Sequence, residues 1–233
     1  MQIGHRFNGP ADSANGGYAC GLFAQQAKAW AWGDVAVTLH SPPPLDTEIT
    51  PVDAGARTQF WAGDVLVAVA GAGRAVGRPP AWAPAEVAAA AEQGFRGMAG
   101  HLFPTCFVCG TVRQKDGLSL RPGPLLDGST TACLWKPDDS TGIDEVALLW
   151  SVLDCPGGWT VDLAARPMML SRMSATLLGR ARSGERYVVR GDCVRQETNA
   201  LATVTAVYHE DGMLIAWASA WWTAFRSAAD SLV

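Results

Sequence analysis

One plan is written twice along this chain, and that doubling limits its fold more than any single motif. In the first half a strand pattern at residues 3–7 leads through a polar, turn-forming stretch to a helix that starts near Gly16-Gly17. Four β-branched or alternating runs follow at hairpin spacing, 34–40, 47–52, 57–61 and 64–70, separated by S-P-P-P-L-D, D-A-G-A and A-G-D. In the second half, strand patterns at 118–120 and 130–135 precede a helix over 145–153, and four long strands follow at 168–178, 185–196, 200–209 and 213–222. Each half thus reads as an antiparallel meander wrapped round one helix, an α+β arrangement with two antiparallel sheets. Between the halves runs G-A-G-R-A-V-G-R-P-P-A-W-A-P, then a short helix with Pro84 at its start and Gly94 or Gly97 near its end. The expected units are therefore 1–75 and 113–233, joined by a Pro/Gly/Ala-rich connection over 76–112.

The composition permits this. With 233 residues, 48% hydrophobic and 17% charged, the chain can bury a large core as one domain or as two of about 110 residues. A net charge of -4, with no basic run and no Arg-rich helix, leaves no electrostatic footprint for nucleic acid or an anionic membrane surface. The N-terminal M-Q-I-G-H-R-F-N-G-P lacks an apolar core segment, and no run of about 18 apolar residues occurs, so neither a signal peptide nor a membrane span is expected and the reading is cytoplasmic.

The second helix carries a chemical anomaly. D-E-V-A-L-L-W-S-V-L-D-C-P-G-G-W, residues 144–159, is an apolar helix pattern interrupted by one carboxylate, Asp154. An ionised, unpaired acid on a buried face costs several kcal/mol, so Asp154 must be paired, protonated or used. A structural alternative is that it caps the helix break at Pro156-Gly157. In the first helix, Asn15 is the expected N-cap, and Gly16 and Gly17 leave helix-start amides unshielded, able to hold an oxyanion or polarised carbonyl. The plainer reading of the glycines is close packing of helix on sheet. Setting Asn15-Gly16-Gly17 against Glu145-Val146-Ala147 places Ala24 opposite Asp154, so that one helix keeps the glycines and the other the acid.

At these residues the chain resembles the hotdog-fold acyl-CoA thioesterases, the superfamily that includes phenylacetic-acid-pathway and hydroxybenzoyl-CoA thioesterases. Their helix-start triplet, commonly His-Gly-Gly, resembles Asn15-Gly16-Gly17, and their Asp or Glu about nine residues on resembles Asp154. The resemblance implies a double hotdog forming a pseudo-dimer, with one composite site between the units and a second, degenerate one. It implies hydrolysis of a hydrophobic acyl thioester of coenzyme A or an acyl carrier protein. Gly16 and Gly17 would polarise the carbonyl, and Asp154 would act as base or nucleophile. Asn15, Asp12, Tyr18 and Trp150 are the accompanying candidates for substrate binding. Asp12 and Ser13 are equally able to make local turn bonds.

Six cysteines (20, 106, 109, 133, 155, 193) read as reduced, buried thiols in a core-rich chain. Cys106 and Cys109, in F-P-T-C-F-V-C-G with His101 upstream, form a single C-x-x-C-G knuckle, half of a zinc ribbon. Cys133, Cys155, Cys193 or a histidine could complete it in three dimensions, but no metal or cofactor is expected. Ten tryptophans are read mainly as core, with an aromatic acyl pocket as the other possibility. Walker loops, dinucleotide fingerprints, G-x-S-x-G and H-E-x-x-H are absent, and the glycines near Gly71 lack a following helix. Three functions stay open: a hydrolase, a hotdog protein that binds an acyl thioester or hydrophobic ligand without hydrolysis, and a lyase or cyclase on an acyl intermediate. Exposed sheet edges would allow a homodimer.

Overall fold

In the computed structural model, which describes residues 1–32, 34–113, 116–126, 128–138 and 142–225, the doubling is visible as two identical strand orders. Helix α1 (Gly16–Gln26) is followed by β1 (Val35–Leu39), β2 (Thr50–Ala54), β3 (Arg57–Ala62) and β4 (Val65–Ala72). After α2 (Ala85–Glu92), β5 (Gly123–Pro124) and β6 (Thr130–Trp135) come α3 (Glu145–Val152) and the one-turn α4 (Cys155–Gly158). The chain ends with β7 (Met168–Leu177), β8 (Tyr187–Gln196), β9 (Ala200–His209) and β10 (Leu214–Ala224). In space the first set runs β1-β4-β3-β2 and the second β7-β10-β9-β8, with β6 and β5 beyond β8.

The two sets share one continuous ten-stranded antiparallel sheet, in place of two separate sheets, because β1 pairs with β7 from Val35↔Ala175 to Thr38↔Arg172. The physical reason is the edge problem. Left apart, β1 and β7 would each present a row of unpaired backbone groups, and joining removes both edges at once. The remaining edges, β2 and β5, contain Pro51 and Pro124, which cannot donate to another strand.

Two short strand expectations fail. Residues 3–7 hold a 3-10 turn, His5–Phe7, between Gly4 and Asn8, although Ile3 O still accepts from Asp46 N and Met1 O from Ile49 N. Residues 118–120 direct their amides away from the sheet, Leu118 to Phe107 O and Leu120 to Val108 O, and so brace the cysteine-bearing turn.

Helix α1 begins where expected: the Asn15 side chain accepts from Tyr18 N, one of the four helix-start donors that need a partner. Helix α3 is capped in the same way by Asp144, which accepts from Ala147 N. The caps make Asn15 the counterpart of Asp144 rather than Glu145, and Gln25 rather than Ala24 the counterpart of Asp154. Matching by the glycine pair slips by one residue because the cap, not the glycines, marks the first turn. α3 stops before Pro156, which has no N–H to continue it.

The helices lie against each other on the sheet. Gly17 and Gly21, one turn apart on α1, face α3 so closely that a Cβ at 17 would sit 2.6 Å from Trp150 O, and one at 21 would sit 2.7 Å from Ala147 Cα. Gly17 and Gly21 therefore serve packing of helix on helix, whereas Gly16 serves packing of helix on sheet, since a Cβ there would lie 2.9 Å from Leu170 Cδ2 on β7. The connecting helix α2 lies over the second set of strands, with Ala88 and Ala91 against Ala132 and Val188. No helix among the described residues is long and apolar enough to cross a membrane.

Asp144 gives a first test of this frame. Its Oδ1 accepts from both Ala147 N at 3.0 Å and Gln25 Nε2 at 2.8 Å, tying α3 to the end of α1. Asp144→Ala is expected to cost about 1 kcal/mol, the usual loss of an N-cap, read as a lowered midpoint in urea at unchanged slope.

Candidate active site

Past the end of α3 the backbone turns at Asp154 (φ -83, ψ -81), and this turn aims the carboxyl group at the first turn of α1. Oδ2 accepts from Asn15 Nδ2 at 2.8 Å and from Gly17 N at 3.0 Å. Oδ1 is buried with no hydrogen-bond partner. The acid is 3% exposed, and it makes no cap bond to α4, which removes the capping role as an explanation. Burial pushes its pKa up to about 7; the Gly17 amide pulls it down, the neighbouring Cys106 pushes it further up, and Asn15 pulls it down again.

Asparagine suits position 15 because both ends of its side chain are used. Oδ1 faces the helix amide of Tyr18 and Nδ2 faces the acid. An aspartate there could keep the cap but would set a second carboxylate against Asp154. Across the helix pair the counterpart residues make the counterpart bond, Gln25 to Asp144, but in the open and with the acid on the cap. The second composite position thus keeps a polar pair with its acid and amide exchanged.

Asp154, Asn15 and Gly16 line a cavity of about 210 Å³. Its walls come from the end of β1 and the turn after it (Leu39, Pro43), from Met168 and Leu170 on β7, and from Trp159 and Trp222, so they are mostly apolar. The Gly16 amide precedes the first intrahelical donor and has no acceptor among the described residues. Gly157 and Gly158 make no such donor site: both amides bond to Asp154 O within α4, and side chains there would strike Thr205 and Trp222.

Of the residues expected at the site, Asp154, Asn15, Gly16 and Gly17 come together. Three others stand outside the cavity. Tyr18 is buried and stacks on Phe7 with ring centroids 3.9 Å apart. Trp150 is buried against Gly21 between the helices, and Asp12 lies exposed in the preceding loop. Sequence reasoning missed the β7 wall and the position of His101, Phe103, Cys106 and Cys109 on the cavity, while Cys155, one of the residues that could complete the knuckle, does join its two cysteines. The C-x-x-C-G motif was the available signal; that Cys155 would meet it is a long-range contact that spacing does not encode.

No family model and no curated protein matches the sequence. Solved structures do. The tesB protein of Mycobacterium avium subs paratuberculosis superposes with a TM-score of 0.60 at 12% identity, over 97% of this chain and 91% of that one. A conserved protein with a hot dog fold from Alicyclobacillus acidocaldarius gives 0.59 at 12% identity, over 97% and 92%. This chain has the hotdog fold. The acyl-CoA thioesterase II TesB2 of Mycobacterium marinum gives 0.50 at 12% identity, over 84% and 81%. The hotdog resemblance read from Asn15-Gly16-Gly17 and Asp154 therefore holds for the architecture of nearly the whole chain. At such identity, what this hotdog chain does must be argued from its own residues.

Proposed function

We propose that this hotdog chain hydrolyses an acyl thioester of coenzyme A or an acyl carrier protein, at one composite site where α1 and the end of α3 meet. The observation that carries the reading is Asp154: one oxygen is clamped by Asn15 and Gly17 from the other half of the chain, while the other is unpartnered beside an apolar cavity. Asp154, Gly16 and Gly17 carry the chemistry in unequal roles. Gly17 spends its amide on the acid and so positions it, which leaves Gly16 as the donor for the thioester carbonyl.

In this scheme the acyl group lies in the cavity and Asp154 takes a proton from water as its oxygen attacks the carbonyl carbon. The oxyanion forms opposite the Gly16 amide. Its collapse breaks the carbon–sulfur bond, and the proton held by Asp154 passes to the departing thiolate, giving free acid and thiol.

The deep burial of Asp154 and the occupied Gly17 amide favour one second reading, a hotdog protein that binds the thioester without cleaving it. Thiol release from a panel of acyl-CoA esters separates the two. Saturable release of coenzyme A supports hydrolysis; binding of the same esters with no release selects the binding protein.

A further inference from the structure

The connecting segment holds a cysteine cluster that the proposed hydrolysis leaves unused. Cys106 and Cys109 sit on a tight turn closed by the Gly110 amide donating to Cys106 O at 2.9 Å. A Cβ at residue 110 would lie 2.4 Å from that same oxygen, so glycine is required there. The amides of Val108 and Cys109 point at the Cys106 sulfur. Cys155, the first residue of α4, completes the group: its Sγ is 3.9 Å from that of Cys106, and the three sulfurs all lie within 4.8 Å of one another, buried.

These distances suit one ion. Zinc–sulfur bonds of about 2.3 Å at tetrahedral angles set the sulfurs roughly 3.8 Å apart. The surroundings suit negative sulfur as well: Trp159 Nε1 donates to Cys109 Sγ at 3.4 Å, and Asn15 Nδ2 lies 3.9 Å from Cys106 Sγ and 3.8 Å from Cys155 Sγ. Each of the three sulfurs thus has an N–H group beside it.

We propose that Cys106, Cys109 and Cys155 bind a single soft divalent cation, zinc in the first instance, between the connecting segment and α4. Each thiol gives its proton to solvent on binding. Three thiolates select zinc over magnesium or calcium, which take oxygen ligands. His101 is 3.3 Å from Cys109 Sγ through Nε2, but its Nδ1 accepts from Phe103 N at 3.0 Å. That bond places the ring hydrogen on Nε2, so His101 is a donor to the thiolate rather than a fourth ligand. The fourth position falls to water or a ligand from the adjoining cavity, which all three cysteines border. The ion would fasten the connecting segment to the helix that follows Asp154, a constraint independent of whether the site hydrolyses anything.

Cobalt(II), added to the reduced full-length chain, is the probe. One cobalt per chain is expected, with sulfur-to-cobalt charge transfer in the near ultraviolet, tetrahedral d–d absorption in the visible, and loss of both on adding zinc. Cys109→Ser and Cys155→Ser should lose these bands, and Cys133→Ser, whose thiol is buried outside the cluster, should keep them. Should a serine variant misfold, the wild-type spectrum still decides. A reduced wild-type chain that leaves cobalt octahedral overturns the proposal, as do cobalt–thiolate bands that survive both serine substitutions.

Discussion

Asp154→Asn should lower acyl-CoA hydrolysis by about 10²- to 10⁴-fold, the usual contribution of a positioned acid–base group, while leaving the chain folded. The new amide oxygen can accept from Asn15 Nδ2 and Gly17 N as Oδ2 does now. The substitution also removes a carboxyl group that is 3% exposed and that burial already disfavours as a charge. The melting temperature should accordingly stay within roughly 2 °C of wild type. Loss of turnover with intact folding and retained ester binding is the expected pattern. Turnover that persists at the wild-type rate takes Asp154 out of the reaction.

Gly17→Ala is expected to have the largest effect on stability. Its Cβ would lie 2.5 Å from Asp154 Cβ and 2.6 Å from Trp150 O, and neither atom can give way unless α3 moves. Overpacking of this kind costs about 1–3 kcal/mol, and moving α3 also breaks the amide-to-carboxylate bond, worth roughly 1.5–3 kcal/mol more. A loss of roughly 3 kcal/mol or more corresponds to a melting temperature about 10 °C lower, with activity falling alongside. Gly4→Ala is the control, because Gly4 has φ -65 and a Cβ there would meet nothing within 4 Å. A Gly17→Ala chain as stable as Gly4→Ala would mean that the two helices do not approach as closely as described.

Local chemistry was readable and long-range pairing was not. The polar-to-apolar change at Asn15 marked the cap and start of α1 because a cap is a contact among neighbours in sequence. The eight long strands showed as β-branched runs between turn residues, and their repetition implied two like halves. The join of β1 to β7 could not be read, since nothing in either strand specifies a partner more than a hundred residues away. Asp154 stood out because an acid in an apolar helix must be accounted for, and Asn15 and Gly17 account for half of it. Gly17 is required for helix contact, and its amide is spent on the acid. Tyr18 and Trp150 were nominated by proximity in sequence, but helix geometry turns both away from the cavity and into the core. Cys155 was one of several residues able to complete the C-x-x-C-G knuckle, and only the fold, which brings it against the connecting segment, singles it out.

The central claim is that the reacting carbonyl meets Asp154 between the two helices. A crystal structure with a non-hydrolysable ketone analogue of an acyl-CoA, in which a methylene replaces the sulfur, tests it most directly. The account predicts the acyl group in the cavity walled by β7 and Trp222, the ketone oxygen facing the Gly16 amide, and the carbonyl carbon within reach of Asp154 Oδ1 directly or through one water. An analogue bound in the open hollow lined by Arg180, Arg182 and His209, with the Asp154 cavity left to solvent, would contradict it.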